Sequence, residues 1–205
     1  MENKFDFFNE KAETWDATSR YDMNKLELML RLLYIKEGDT VLDVGTGTGV
    51  IIPLLQKFTN AENIYAIDAA EKMIGAAKKK FADTKVNFVI GDVLDYPFND
   101  EQFDHIVCYS VFPHFDNKPL AIARFAKILK PGGFLSVLHT ASKVKINGIH
   151  VHVHNRDVFL DHLPPAKAFL PCLKDNCMRD EIIIDNEEMY FLGARKKWLR
   201  SKTCN

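Results

Sequence analysis

The chain has 205 residues, 47% apolar and 27% charged, and its 27 basic and 28 acidic side chains leave a net charge of −1 with a pI near 6.7. That length and composition predict one globular domain spanning 1–205, and the balanced charge offers no field that would draw it to nucleic acid or an anionic membrane. The opening MENKFDFFNEKAE carries acids and amides where a secretory leader needs a basic start and an apolar run, and no stretch approaches the ~20 apolar residues of a membrane span, so the expected compartment is cytoplasmic. Cys108, Cys172, Cys177 and Cys204 form no CxxC pair, which predicts reduced thiols and neither a zinc knuckle nor a disulfide framework.

In chain order, 4–18 and 21–35 read as helices, the second with a broad apolar face from Leu26, Leu28, Met29, Leu30, Leu32 and Leu33. Thr40–Val44 reads as a first strand, followed by helix to about Phe58, and Asn63–Asp68 as a second strand of the buried, continuously apolar kind. A helix over 71–82, strands at Val86–Ile90 and Phe103–Tyr109, and a helix over about 117–129 come next. Lys130-Pro131-Gly132-Gly133 has Pro and Gly where a type II turn wants them. Phe134–His139 reads as a fifth strand, and 181–195, turning at Asn186-Glu187, as a hairpin closing the sheet with an antiparallel edge. Strands alternating with crossover helices predict an α/β fold around a parallel sheet.

The chemistry concentrates in Asp43-Val44-Gly45-Thr46-Gly47-Thr48-Gly49, where a strand runs into a glycine-rich turn. Glycines at alternating positions admit backbone angles closed to other residues and let a ligand approach without meeting a Cβ atom; a tight turn with no ligand is the plainer alternative. A dinucleotide fingerprint would place its third glycine at Val50, and no Gly-Lys-Ser/Thr follows for a P-loop. The Asp43 carboxylate would repel a pyrophosphate and suits a cationic ligand. Asp68, ending the second strand beside Ala69, can accept ribose hydroxyls. Asp92, in Gly91-Asp92-Val93 after the third, can accept from an exocyclic amine, with Met73 flanking the ring. Each carboxylate alone would pass for a helix cap or a solvated loop residue. Three at successive strand ends would not.

These segments, with Phe103-Asp104-His105-Ile106-Val107 and Leu129-Lys130-Pro131-Gly132-Gly133, resemble the ordered motifs of the class I, Rossmann-like S-adenosylmethionine-dependent methyltransferases, within them the small-molecule group typified by the ubiquinone and menaquinone enzymes. The resemblance covers about residues 40–140. It implies a three-layer α/β sandwich with a seven-stranded, mostly parallel sheet whose last strand is antiparallel. It also implies an N-terminal helical lid over 1–35 (Phe5–Asp16, with Trp15 and Tyr21), a cofactor-binding core over 36–140, and an acceptor-side segment with the hairpin over 141–205. S-adenosyl-L-methionine would lie over the strand ends, its methionine part at Asp43, Gly45, Thr46, Gly47 and Gly49. Its ribose would lie at Asp68 and Ala69, and its adenine at Met73, Gly91, Asp92 and Val93.

Methyl transfer needs positioning more than a base, so catalytic residues leave a fainter trace than cofactor residues. After the fourth strand, Tyr109, Ser110 and His114 could orient an acceptor, Tyr109 facing the cofactor as well; hydrogen bonding within their loop is the alternative. Tyr21 in the lid, and His139 and Ser142 after the fifth strand, complete the acceptor candidates. Five of the seven histidines fall between His139 and His162. His150, His152 and His154 could offer two metal ligands on one face, but no third ligand accompanies them, so an acceptor wall without metal is the expectation. The basic run Arg195–Lys202 reads as a solvated end and is the one candidate patch for RNA or an acidic partner. A methyltransferase acting on a small molecule is the leading reading, against one acting on RNA or protein and against a cofactor-binding protein without transfer.

Overall fold

A computed structural model describes residues 4–151 and 161–198. Seven strands form one sheet: β1 (Val41–Val44), β2 (Ile64–Asp68), β3 (Asn87–Ile90), β4 (Phe103–Tyr109), β5 (Leu129–His139), β6 (Met178–Asp185) and β7 (Tyr190–Lys196), in the order β3-β2-β1-β4-β5-β7-β6. Pairs β1–β2, β2–β3, β1–β4 and β4–β5 are parallel, whereas β7 runs antiparallel to both neighbours. The last strand is antiparallel in a mostly parallel seven-stranded sheet, as the resemblance implied, but it does not form the edge that the hairpin reading expected. It slots between β5 and β6, so the hairpin buries its second strand and leaves its first outside.

Alternation along the strands divides the core into two faces. Leu42, Val44, Ile106, Cys108, Leu135 and Val137 pack on one side with helix α6 (Lys118–Ile128) and helix α8 (Leu170–Asp175). Val41, Ile64, Ala66, Val107, Phe134 and Leu138 pack on the other with α3 (Met23–Arg31) and α4 (Ile52–Leu55). Burial on both faces is why β1 reads as an unbroken apolar run apart from Asp43.

Caps set several helix starts. The Asp22 carboxylate accepts from the Lys25 N–H at 2.9 Å at the head of α3, and Asn117 accepts from the Leu120 N–H at 3.0 Å at the head of α6. The first expected helix is broken into α1 (Lys4–Lys11) and α2 (Trp15–Thr18), and the helix expected to reach Phe58 is the single turn of α4. α5 covers Glu71–Lys80, and α7 covers Lys143–Val151. Gly132 has a φ of +81°, as a type II turn requires, and the extra residues bulge out between the pairs Phe103–Leu129 and His105–Phe134.

The basic run starts inside the fold. Arg195 Nε donates to Glu181 at 3.0 Å, and Lys196 Nζ reaches the Leu129 carbonyl at 2.8 Å, so these two charges are engaged by the sheet; residues 199–202 lie outside the described residues. Cys108 and Cys172 are thiols, but Cys177 is disulfide-bonded, against the expectation of reduced cysteines. Spacing along a chain does not reveal which cysteines folding brings together. No helix among the described residues is long and apolar enough to cross a membrane.

Candidate active site

The carboxyl ends of β1 to β5 open into a cavity of about 860 Å³. Gly45, Thr46 and Gly47 line it after β1, Asp68 and Ala69 after β2, Gly91 to Leu94 after β3, Tyr109, Ser110 and His114 after β4, and His139 at the end of β5. Tyr21, Met73 and Val93 also reach its wall. Of the residues singled out in the sequence, Asp43, Gly49 and Ser142 do not.

The glycine turn divides its labour. A Cβ added at Gly45 would fall 2.3 Å from a Val111 methyl group, and one at Gly49 would fall 2.6 Å from the Phe81 ring, so both positions are forced by packing. At Gly47, with φ at +55°, an added Cβ meets nothing within 4 Å. Gly47 alone is the residue whose missing side chain leaves room for a ligand.

Asp68 ties the strand ends together. One of its carboxylate oxygens accepts from the Gly47 N–H at 2.8 Å and the other from the Ala70 N–H at 2.8 Å. Burial raises its pKa, opposed by the two amides and by the nearby His114. Each oxygen keeps a further lone pair, enough for two ribose hydroxyls. Asp68→Ala is expected to weaken S-adenosylmethionine binding more than tenfold, because charge-assisted acceptors worth roughly 1.5–3 kcal/mol are lost and the Gly47 amide loses its anchor. Calorimetry on the folded variant checks this, and unchanged affinity would remove Asp68 from the site. Asp92 shows a milder case, its carboxylate accepting from the Leu94 N–H at 2.9 Å while it lines the cavity.

Asp43 lies beneath the turn, where the Thr46 hydroxyl donates to its carboxylate at 2.6 Å. Burial lifts its pKa to about 7, with the Asp68 charge adding and the Thr46 hydroxyl opposing. The folded chain thus keeps a proton that the unfolded chain, with an ordinary value of 3.8, releases. This group's contribution to stability is therefore complete at acid pH, falls as pH climbs from about 4 to about 7, and stays low above. Asp43→Asn, which keeps an acceptor for Thr46, should melt higher than the parent by a margin that widens between about pH 4 and about pH 7. A margin independent of pH in thermal unfolding would show that Asp43 is not the buried acid.

The N-terminal helices roof this cavity. Asp16 in α2 accepts from the Thr48 hydroxyl of the glycine turn at 2.5 Å and from Lys80 Nζ at 2.9 Å, and the Asn9 side chain of α1 accepts from the Lys72 N–H at 2.9 Å, covering an open amide in the first turn of α5. Phe8 and Trp15 pack with Ala12, Ala70 and Met73, and the Trp15 indole donates to the Tyr21 hydroxyl at 2.9 Å. Tyr21 and Tyr109 lie 6.3 Å apart by ring centroids, and the Tyr109 hydroxyl pairs with that of Thr140 at 3.1 Å. Burial raises the Tyr109 pKa, with Thr140 opposing.

His114, whose charge acts on Asp68, bonds the Asp161 carboxylate through Nδ1, and the Phe8 ring meets the imidazole edge-on at 5.0 Å. Ser110 holds a left-handed φ of 57°, rare for a residue with a side chain and common at functional loops. His139 is buried with its ring edge-on to Tyr190, and the Ser142 hydroxyl accepts from the Lys145 N–H at 3.2 Å at the head of α7. Sequence reasoning missed Asp161, 47 residues from its partner, and Arg20, a lid cation on the cavity wall. Neither carries a motif. No group of three metal-ligating side chains occurs among the described residues; His152 and His154 lie outside them, as does the side chain of His150.

The methyltransferase domain family matches residues 42–137. A malonyl-[acyl-carrier protein] O-methyltransferase of Priestia megaterium is 26% identical over 79% of this chain and 61% of its own length. A ubiquinone biosynthesis O-methyltransferase of Hydrogenovibrio crunogenus is 29% identical over 75% of this chain and 71% of its own. The chain thus spans less than two thirds of the malonyl relative. The crystal structure of a SAM-dependent methyltransferase from Aquifex aeolicus superposes with a TM-score of 0.66 at 23% identity, covering 91% of this chain and 97% of that one. By its matched segment, its relatives and its strand order, the chain is similar to the class I, Rossmann-like S-adenosylmethionine-dependent methyltransferases, and its fold is theirs.

Proposed function

We propose that the protein is an enzyme that moves the methyl group of S-adenosyl-L-methionine onto a small, mostly apolar acceptor. The observation that carries this is the continuity of the cavity. Its end at Gly47, Asp68 and Asp92 suits a cationic nucleoside, and the same space runs on to Phe8, Trp15, Tyr21 and His114. A volume of about 860 Å³ is large for one ligand in a range of roughly 300–1,000 Å³ and leaves room for an acceptor beside the cofactor.

The residues fit the cofactor. The cradle at Gly47 is open, Asp68 would take the ribose, Asp92 with Val93 the adenine, and Met73 would flank the ring. When bound, the cofactor supplies an electrophilic methyl on a positively charged sulfur, whose charge disperses during in-line displacement. The protein then has to hold two molecules in line and keep water out. Phe8 and Trp15 close the cavity from above, and the Tyr21 and Tyr109 hydroxyls sit where an acceptor's polar group would be oriented. Arg20 on the wall offers a guanidinium to a carboxylate on either ligand. A relative named for ubiquinone biosynthesis supports a small-molecule acceptor, whereas the name of the malonyl relative places its acceptor on a carrier protein.

The test combines calorimetry with S-adenosylmethionine and a screen of pooled metabolites for formation of S-adenosylhomocysteine. Micromolar binding with turnover on a small compound is expected. Transfer only to RNA or protein would overturn the acceptor reading, and a chain that binds the cofactor but turns over with no acceptor would be a binding protein.

A further inference from the structure

We propose that Asp161 orients His114 as the acid–base residue of this cavity, so that the acceptor presents a hydroxyl whose proton leaves as the methyl arrives; this rests on the methyl-transfer reading. Two segments far apart in the chain meet to make the pair. His114 ends the short turn Phe112–His114 after β4, and its N–H donates to the Val111 carbonyl at 2.9 Å. Lys118 Nζ grips the carbonyls on either side, Pro113 at 2.9 Å and Phe115 at 2.8 Å. The loop is thereby held, and the ring with it.

The Asp161 side chain is only 5% exposed, and that of His114 18%. A carboxylate is taken so far out of water at a cost, which the hydrogen bond to Nδ1 offsets. A carboxylate on Nδ1 holds the neutral ring in the form with its proton on that nitrogen, which places the basic lone pair on Nε2. A purely structural pair could stand anywhere in the core; this one puts its imidazole in the cavity wall, against the Phe8 ring of the lid. Charged groups among the described residues near it include Asp161, Asp68, which feels the His114 charge, and Asp116 and Lys118 of the same loop.

A neutral amine attacks with a lone pair it already has, whereas a hydroxyl gains nucleophilicity by losing its proton. At His114 the acceptor's proton passes to Nε2 as its oxygen bonds the methyl carbon. The carbon–sulfur bond breaks with its electron pair kept on sulfur, and the positive charge moves from the sulfonium to the imidazolium beside Asp161. The cavity's apolar wall, with Phe8 against the ring and Phe115 and Ile146 elsewhere on the lining, matches a hydroxyl carried on an apolar or aromatic body.

Nitrogen-15 NMR of the histidine-labelled full chain at about pH 8.5, above the ordinary imidazole range, reads the tautomer directly, with His114→Gln assigning the signal. The expected result is a neutral His114 protonated on Nδ1, shifted toward Nε2 protonation in Asp161→Asn and retained in Asp161→Glu. Affinity for S-adenosylhomocysteine should stay within about threefold in Asp161→Asn. A parent ring protonated on Nε2, or an Nδ1 proton that survives in Asp161→Asn, would overturn the pairing. The parent tautomer decides alone should Asp161→Asn not fold. An N- or S-methylated product from the metabolite screen would overturn the hydroxyl. Failure of the parent to bind S-adenosylhomocysteine would instead sink the methyl-transfer reading, leaving the tautomer as a separate result.

Discussion

Gly47→Val should abolish S-adenosylmethionine binding while the chain stays folded, whereas Gly45→Ala and Gly49→Ala should mainly lower stability. The three glycines look equivalent in sequence, but an added Cβ at Gly47 points into open cavity, whereas at Gly45 it strikes Val111 and at Gly49 it strikes Phe81 and Ile52. At Gly47 a branched side chain occupies the ligand's space and resists the positive φ, a strain of about 1–3 kcal/mol that a domain of ordinary stability survives. Gly45→Ala and Gly49→Ala add overpacking of about 1–3 kcal/mol to the same strain, so their melting temperatures should drop well below that of Gly47→Val. Calorimetry with the cofactor and thermal unfolding of the three variants separate the two roles. Gly47→Val with parental affinity would mean that the ligand does not approach the turn.

His114→Ala should lower turnover by roughly ten- to a thousandfold, the range covered by lost orientation and modest acid–base help, while cofactor affinity stays within about threefold. Binding and chemistry separate because Asp68 and the Gly47 cradle remain intact in this variant. Steady-state kinetics on whichever acceptor the screen yields, with calorimetry on the cofactor, reads both effects. Equal loss of affinity and turnover would place His114 with the cofactor instead. No loss of either would move the acceptor site toward Tyr21 or His139.

The parallel core and the glycine turn with its strand-end carboxylates were legible in the sequence because both rest on local rules. Strands buried on two faces read as apolar runs, and a ligand at their carboxyl ends needs a glycine turn and carboxylates at successive strand ends. Asp43-Val44-Gly45-Thr46-Gly47, Asp68 and Asp92 each sit within a few residues of a strand that announces itself. What the three carboxylates do was not legible. Asp68 and Asp92 reach the cavity, whereas Asp43 props the turn from below through Thr46, because strand alternation and the turn's own packing decide which carboxylate faces the ligand.

The amino-acid sequence by itself determined the α/β class, the strand–turn–carboxylate order of the core and the helical character of the N-terminal segment, since each is written in short-range periodicity or spacing. Only the tertiary structure decided the rest. It placed β7 inside the sheet rather than at its edge, because hairpin direction does not say which strand meets β5. It gave two of the three glycines to packing, since the atoms they avoid belong to Val111, Phe81 and Ile52. It tied α2 to the glycine turn and to α5 by joining Asp16 to Thr48 and Lys80, and it brought Asp161 to His114 across 47 residues. These are contacts between distant segments, and no local pattern records a pairing that exists only once the chain has closed on itself.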